Sequence, residues 1–267
     1  MPATSDATAV ATGGTAGRHG LILDSVDYGR AVLLQGSGID WEPAAHLRFL
    51  GQIGALLRPD FILVDLGSMV RSALASREDL VAAMGARSRT GYAVRTLLAD
   101  ERIGESALEL LRVATGSSPL PVVVQLPSPE VWLRETAGIA GVVHEADDDD
   151  RENASVYFAD WLRRFAETGL DSVLLDGRTA SQPEELSLYG PVTRLAEHYR
   201  WGVLLRGPNG VQTLDGTAAE LPSGFWLGEE VAVPEASLLV SSVPPNANPE
   251  HVLQLRKNIV AGGAAPS

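Results

Sequence analysis

The sequence predicts an α/β fold, specifically a (β/α)8 TIM barrel, on three observations. Seven or eight short apolar runs alternate with segments of helical periodicity. Hydrophobic residues make up 45% of the chain and aromatics only 6%, which calls for a core of Leu, Val, Ile and Ala, the filling of parallel strands. The length of 267 residues suits a closed α/β barrel, which commonly occupies about 250 residues as one domain. Residues 1–18 read as a disordered tail, 19–262 as the single barrel domain and 263–267 as a flexible C-terminus.

The elements follow in order. Segment 20–26 (GLILDSV) or segment 30–34 (RAVLL) supplies the first strand. Leu47, Leu50, Ile53 and Leu57 recur at helical spacing, and Pro59 stops that helix before the buried strand 61–65 (FILVD). Residues 76–98 and 106–113 have helical patterns, with Gly85, Gly91 and Gly104 as breaks. The β-branched run 121–125 (PVVVQ) is a strand, followed by a helix through Trp132 and Leu133. Residues 139–143 (IAGVV) suggest a further short strand, and the acidic stretch 145–150 reads as a solvated loop. Phe158, Trp161, Leu162 and Phe165 stripe one helix, Gly169 ends it, and 172–176 (SVLLD) is the next strand. Pro191 opens a helix, 202–206 (GVLLR) is a strand, and 225–227 and 237–240 complete the series. Asn248 and Pro249 cap and start a last helix carrying Val252, Leu255 and Ile259. A doubly wound open sheet is the alternative, but no glycine fingerprint follows the first strand.

Composition excludes whole classes of function. A net charge of -13 repels nucleic acid and anionic lipid at long range, so neither nucleic acid nor membrane is an expected partner. With no cysteine there is no thiolate nucleophile or thiolate metal ligand. The sole lysine, Lys257, falls in a surface helix, which argues against a Schiff base. No secretory core precedes residue 19 and no later run is long enough to span a bilayer, so a cytoplasmic location is expected. Homodimerisation is left open.

In a barrel the loops beyond the strands' carboxyl ends build the site. The polar residues there are Asp24, Asp65, Gln125, His144, Asp176, Arg178, Arg206, Asn209 and Glu229. Asp65 followed by Ser68 fits a helix cap better than a substrate contact, and Pro208, Asn209 and Gly210 are a turn signal in their own right. His144 with Glu145 and Asp147 has the donor types of a metal cluster, although the charge run favours solvent.

Three segments carry a family resemblance: 121–133 (PVVVQLPSPEVWL), 158–176 (FADWLRRFAETGLDSVLLD) and 203–210 (VLLRGPNG). They resemble the superfamily of barrels that holds uroporphyrinogen decarboxylase and cobalamin-independent methionine synthase, over about residues 119–262. Where thiol-alkylating members hold zinc by His and Cys, this chain has Arg206 and Pro208, and the arginine-rich N-terminal segment of the decarboxylases is not apparent. The resemblance therefore implies a divergent member with a metal-free site and no cofactor. In that reading Arg178 and Arg206 grip a substrate carboxylate, Asp176 or His144 handles a proton, and Asp65, Gln125, Asn209 and Glu229 contact the substrate. The expected activity is a metal-independent lyase, decarboxylase-like, on a small or medium carboxylated anion. A methyl or alkyl transferase lacking zinc thiolate and a non-catalytic ligand- or partner-binding barrel are the alternatives. The plainest competing role for Arg206 is an ion pair with Asp176 that seals the barrel mouth.

Overall fold

The computed structural model describes residues 20–142 and 146–260. The expected tail, the C-terminal residues 263–267 and His144 with Val143 and Glu145 lie outside them. The chain is α/β with two parallel-rich sheets, and it divides into two compact units. One unit comprises residues up to 40, 44–63 and those from 215 on; the other comprises 41–43 and 64–214.

The first unit is built on a three-stranded sheet in the order β1-β8-β7: β1 (Gly20–Asp24), β8 (Leu238–Ser242) and β7 (Ala218–Glu220). Both pairings are parallel, with Gly20 beside Leu238 and Asp24 beside Ser242. Helices α1 (Val26–Leu33), α2 (Pro43–Leu57) and α10 (Pro249–Val260) belong to the same unit. Phe49, Ile53 and Leu57 form the stripe of α2, and they join Leu21, Leu239, Trp226 and Leu255 in one buried cluster. Asp60 ties β1 to the last helix by accepting from the Leu21 amide and the Arg256 guanidinium, each at 3.0 Å. Arg256 is itself buried, so the carboxylate supplies its counter-charge.

Of the two segments offered for the first strand, the first supplies it, as β1, and residues 30–34 close α1, whose buried residues are Val26, Tyr28 and Gly29. One expectation changes here. Residues 225–227 lie in a 3-10 turn, Ser223–Leu227, that Gly228 ends at φ +84, and the strand of this region is β7 instead. A three-residue apolar run carries too little periodicity to separate the two.

The second unit holds a five-stranded sheet in the order β2-β3-β4-β5-β6: β2 (Ile62–Asp65), β3 (Val122–Pro127), β4 (Ser172–Asp176), β5 (Gly202–Gly207) and β6 (Gly210–Thr213). The β3-β4 and β4-β5 pairs are parallel, whereas β6 returns antiparallel through the Pro208-Asn209 turn. Four helices connect β2 to β3: α3 (Leu66–Leu74), α4 (Glu78–Met84), α5 (Tyr92–Leu98) and α6 (Glu101–Ser117). Helices α7 (Pro129–Ile139) and α8 (Asp148–Leu162) connect β3 to β4, and α9 (Gly190–Tyr199) connects β4 to β5. The strands neighbour one another in chain order, without the reversal of a doubly wound sheet.

Local chemistry explains the remaining departures. Gly104 sits inside α6 because the Arg164 guanidinium packs against it, held by Glu101 at 2.9 and 3.0 Å. Ile139 ends α7 and Gly141 turns at φ +71, so no strand forms over 139–142. Asp147 and Asp150 make a reciprocal capping box, placing Asp148, Asp149 and Asp150 in the first turn of α8, where the helix dipole favours negative charge. Among the described residues no helix is long and apolar enough to cross a membrane.

Gly67, in the first turn of α3, is pressed against the β3 end: a Cβ there would stand 2.7 Å from Cδ of Pro127. A proline ring cannot swing aside. Gly67→Ala is expected to cost about 1–3 kcal/mol by overpacking, seen as a lower urea midpoint at unchanged m-value.

Candidate functional site

Parallel register decides which predicted residues meet. Asp176 on β4 stands beside Pro127 on β3 and Arg206 on β5, and Gln125 stands beside Leu174 one step deeper. Residues two apart share a sheet face, so Gln125, Asp176 and Arg206 lie on the same one. Gln125 and Arg206 are buried there, and Gln125 Oε1 has no hydrogen-bond partner among the described residues. Arg178 turns back onto Asp176, donating from Nε at 2.9 Å and Nη2 at 2.6 Å. Burial alone would raise the Asp176 carboxyl, but the hydrogen bonds and charge of Arg178, aided by Arg206, hold it below the ordinary carboxylate range. Asp176 is thus an ionised partner of Arg178, and a substrate carboxylate would have to compete with it for that guanidinium.

The other expected residues lie elsewhere. Asp65 is buried and caps α3, accepting from the Ser68 amide at 2.9 Å and the Ser68 hydroxyl at 2.5 Å. Asn209 is exposed at the tip of the β5-β6 hairpin. Glu229 is exposed and belongs to the other unit, following the turn at Gly228. His144 is outside the described residues.

A group of acids that the sequence reading passed over gathers beyond β3 and β4. Ser128 caps α7, accepting from the Val131 amide at 3.2 Å, and Glu130 follows in the first turn, only 2% exposed. Glu130 Oε1 accepts from the Ser181 hydroxyl at 2.6 Å and the Ser181 amide at 3.3 Å, while its Oε2 has no partner among the described residues. Glu184, three residues further along that loop, is buried as well and accepts from the Tyr189 hydroxyl. The loop is pinned by Gln212 of β6, which donates to the Glu184 carbonyl at 2.8 Å and accepts from the Leu186 amide at 3.1 Å. Gly177 leaves room for the Glu184 carboxyl, which any side chain at that position would strike.

Burial pushes the Glu184 carboxyl up to about 7, and the charge of Glu130 adds to the rise; hydrogen bonds with Tyr189 and Ser128 oppose it. Burial also raises the Tyr189 phenol, and the neighbouring Glu184 raises it further. The result is a carboxyl that holds or releases a proton near neutrality, beside a second buried carboxylate. That is the arrangement acid–base chemistry requires.

Glu130 and Ser181 open onto a cavity of about 320 Å³. Arg87, Arg89, Arg134 and Arg151 also line it, with Ala93, Val94, Leu133 and Ala137 as its apolar wall. Three of the arginines are oriented by neighbours. Arg134 donates to the Thr179 carbonyl, Arg151 to Asp148 at 2.6 Å, and the Arg87 guanidinium lies 5.3 Å from the Tyr92 ring centre. The one sequence signal for this site was a Glu in the first turn of a helix directly after a strand, in the run 127–130 (PSPE), which also reads as ordinary capping. Among the described residues no three His, Asp or Glu side chains group as a metal site. No family model matches the chain, and no curated protein matches it.

Because Glu184 binds its proton more tightly folded than its ordinary 4.5, the native state carries the extra proton between pH 4.5 and about 7. Stability should therefore fall as pH rises through that window, by roughly 1–3 kcal/mol, and level off above it. Urea titrations at steps from pH 4.5 to 8 should show this slope in the natural chain and a flatter one in Glu184→Gln. An unchanged slope in the variant would assign the titration to another group.

Proposed function

We propose that this protein is an acid–base enzyme, a lyase of decarboxylase type acting on a small carboxylated anion without metal or organic cofactor. The observation that carries the reading is one cavity with four arginines on its wall and a buried carboxylate, Glu130, on the same wall. Guanidinium groups bind carboxylates through paired hydrogen bonds and stay charged at every physiological pH. Glu130 is the acid in contact with the ligand, and Glu184 behind it is the positioning residue that keeps a proton in the pair at neutral pH.

The reaction balances simply. The C–C bond to the substrate carboxylate breaks and carbon dioxide leaves; the bonding electrons stay on the adjacent carbon, which takes a proton from the acid pair. Arginines around the cavity favour this chemistry by stabilising negative charge that moves from the carboxylate onto the substrate skeleton.

The fold proposed with this function is a divergent uroporphyrinogen decarboxylase/methionine synthase-like barrel. Its support is the neighbouring of β2 to β5 in chain order, as in the winding of a (β/α) barrel, from which the antiparallel β6 departs. The resembling segment 121–133 also corresponds to β3 and the start of α7, from which Glu130 projects.

A panel of small carboxylic acids tests the reading in two stages, thermal shift and then carbon dioxide release followed by NMR. The expected outcome is that at least one acid raises Tm and is consumed, and that Glu184→Gln still binds it but turns it over at least about tenfold more slowly. Binding without turnover would reduce the protein to a ligand-binding module. No binding at all would remove the cavity as the site.

A further inference from the structure

The charges around the cavity specify more than an anion. Four arginines line it together with Glu130, and among the described residues one of them, Arg151, is ion-paired, to Asp148. Neither Arg87 nor Arg89 has an ion-pair partner among the described residues. Arg134 forms no ion pair among the described residues either, so three of the four arginines are without one there, in a chain whose net charge is -13. The four are also split between two supports. Arg134 and Arg151 project from α7 and α8, and each is fixed by a hydrogen bond, whereas Arg87 and Arg89 come from the loop between α4 and α5. The Arg87 guanidinium packs over the ring of Tyr92, the first residue of α5.

From this we infer that the cavity is built for a compact dianion, one anionic group for the helix-borne arginines and a second charge for the Arg87-Arg89 loop. The inference rests on the proposed function and narrows its substrate class. A single carboxylate would leave either Arg134 or the Arg87-Arg89 pair without a counter-charge, whereas a dicarboxylate or a phosphate monoester satisfies both. At about 320 Å³ the space is near the lower limit of small-molecule sites, roughly 300–1,000 Å³, so the two charges must be close together. Arginines already oriented lose little freedom when the ligand arrives, which favours a tight complex over a diffuse cloud of counter-ions.

Isothermal titration of the full chain with succinate, glycerol 2-phosphate and propionate at fixed ionic strength tests this. Either dianion is expected to bind at least about tenfold more tightly than propionate, and the tighter of the two identifies carboxylate or phosphate as the second group. An Arg87→Ala/Arg89→Ala variant alters two exposed loop side chains, and its fold is checked by circular dichroism. It should lose about tenfold or more in affinity for the dianion, a larger loss than for propionate, so that the preference for the dianion shrinks. Equal binding of propionate and the dianions, or a double variant that keeps full dianion affinity, would overturn the inference and leave the proposed anion-binding enzyme standing. If none of the three ligands binds, the cavity is not an anion site and both readings fall together.

Discussion

Two carboxylates buried in one neighbourhood cannot both be ionised cheaply, and the arrangement beyond β3 and β4 follows from that constraint. Glu130 is stabilised by two donors from Ser181. Burial, with the charge of Glu130 adding to it, moves the ionisation of Glu184 up to about 7 despite the Tyr189 hydroxyl. The positions that permit this are specific. Ser128 fixes the start of α7, Gly177 vacates the space for the Glu184 carboxyl, and Gln212 anchors the loop from the antiparallel strand β6. Without the β5-β6 hairpin the loop would lose the side chain that holds Glu184 in place.

The arginines answer a different constraint. A chain with 34 acidic and 21 basic residues repels anions at a distance, so binding one requires a local reversal of the field. The cavity supplies it by drawing guanidinium groups from a loop and two helices. This reversal coexists with the acidic first turn of α8, where Asp148 orients Arg151 instead of opposing it. The charge run that the sequence presents as a solvated loop thus acts as a cap and as the partner of one cavity arginine.

At the strand ends the same chemistry has a closed outcome. Asp176 and Arg206 share a sheet face and Arg178 folds back on Asp176, so the charges there are largely engaged with one another. The plainer role offered from sequence is an ion pair between Arg206 and Asp176; the structure pairs Asp176 with Arg178, a neighbour in the chain, and sets Arg206 beside Asp176 as a buried cross-strand charge. Asp65 likewise takes the capping role that its place before Ser68 implies. Of the residues chosen from sequence, Gln125, Asp176, Arg178 and Arg206 come together, Asn209 sits on the exposed hairpin tip, and Glu229 lies in the other unit.

The α/β class, the strands 122–127, 172–176 and 202–207, the helix stripes and the cap at Asn248 were legible because each depends on local periodicity or on a side chain bonding its own backbone. Short runs such as 225–227 were not, since three residues define no period. The chemistry was hidden for a stronger reason. Glu130, Glu184, Arg87 and Arg151 are unremarkable helix or loop residues in the chain, and burial and long-range charge give them their character. Residue types and local hydrogen bonds are properties of the sequence; the dielectric around a carboxyl and the distance between charges 50 residues apart arise only when the tertiary fold packs them together.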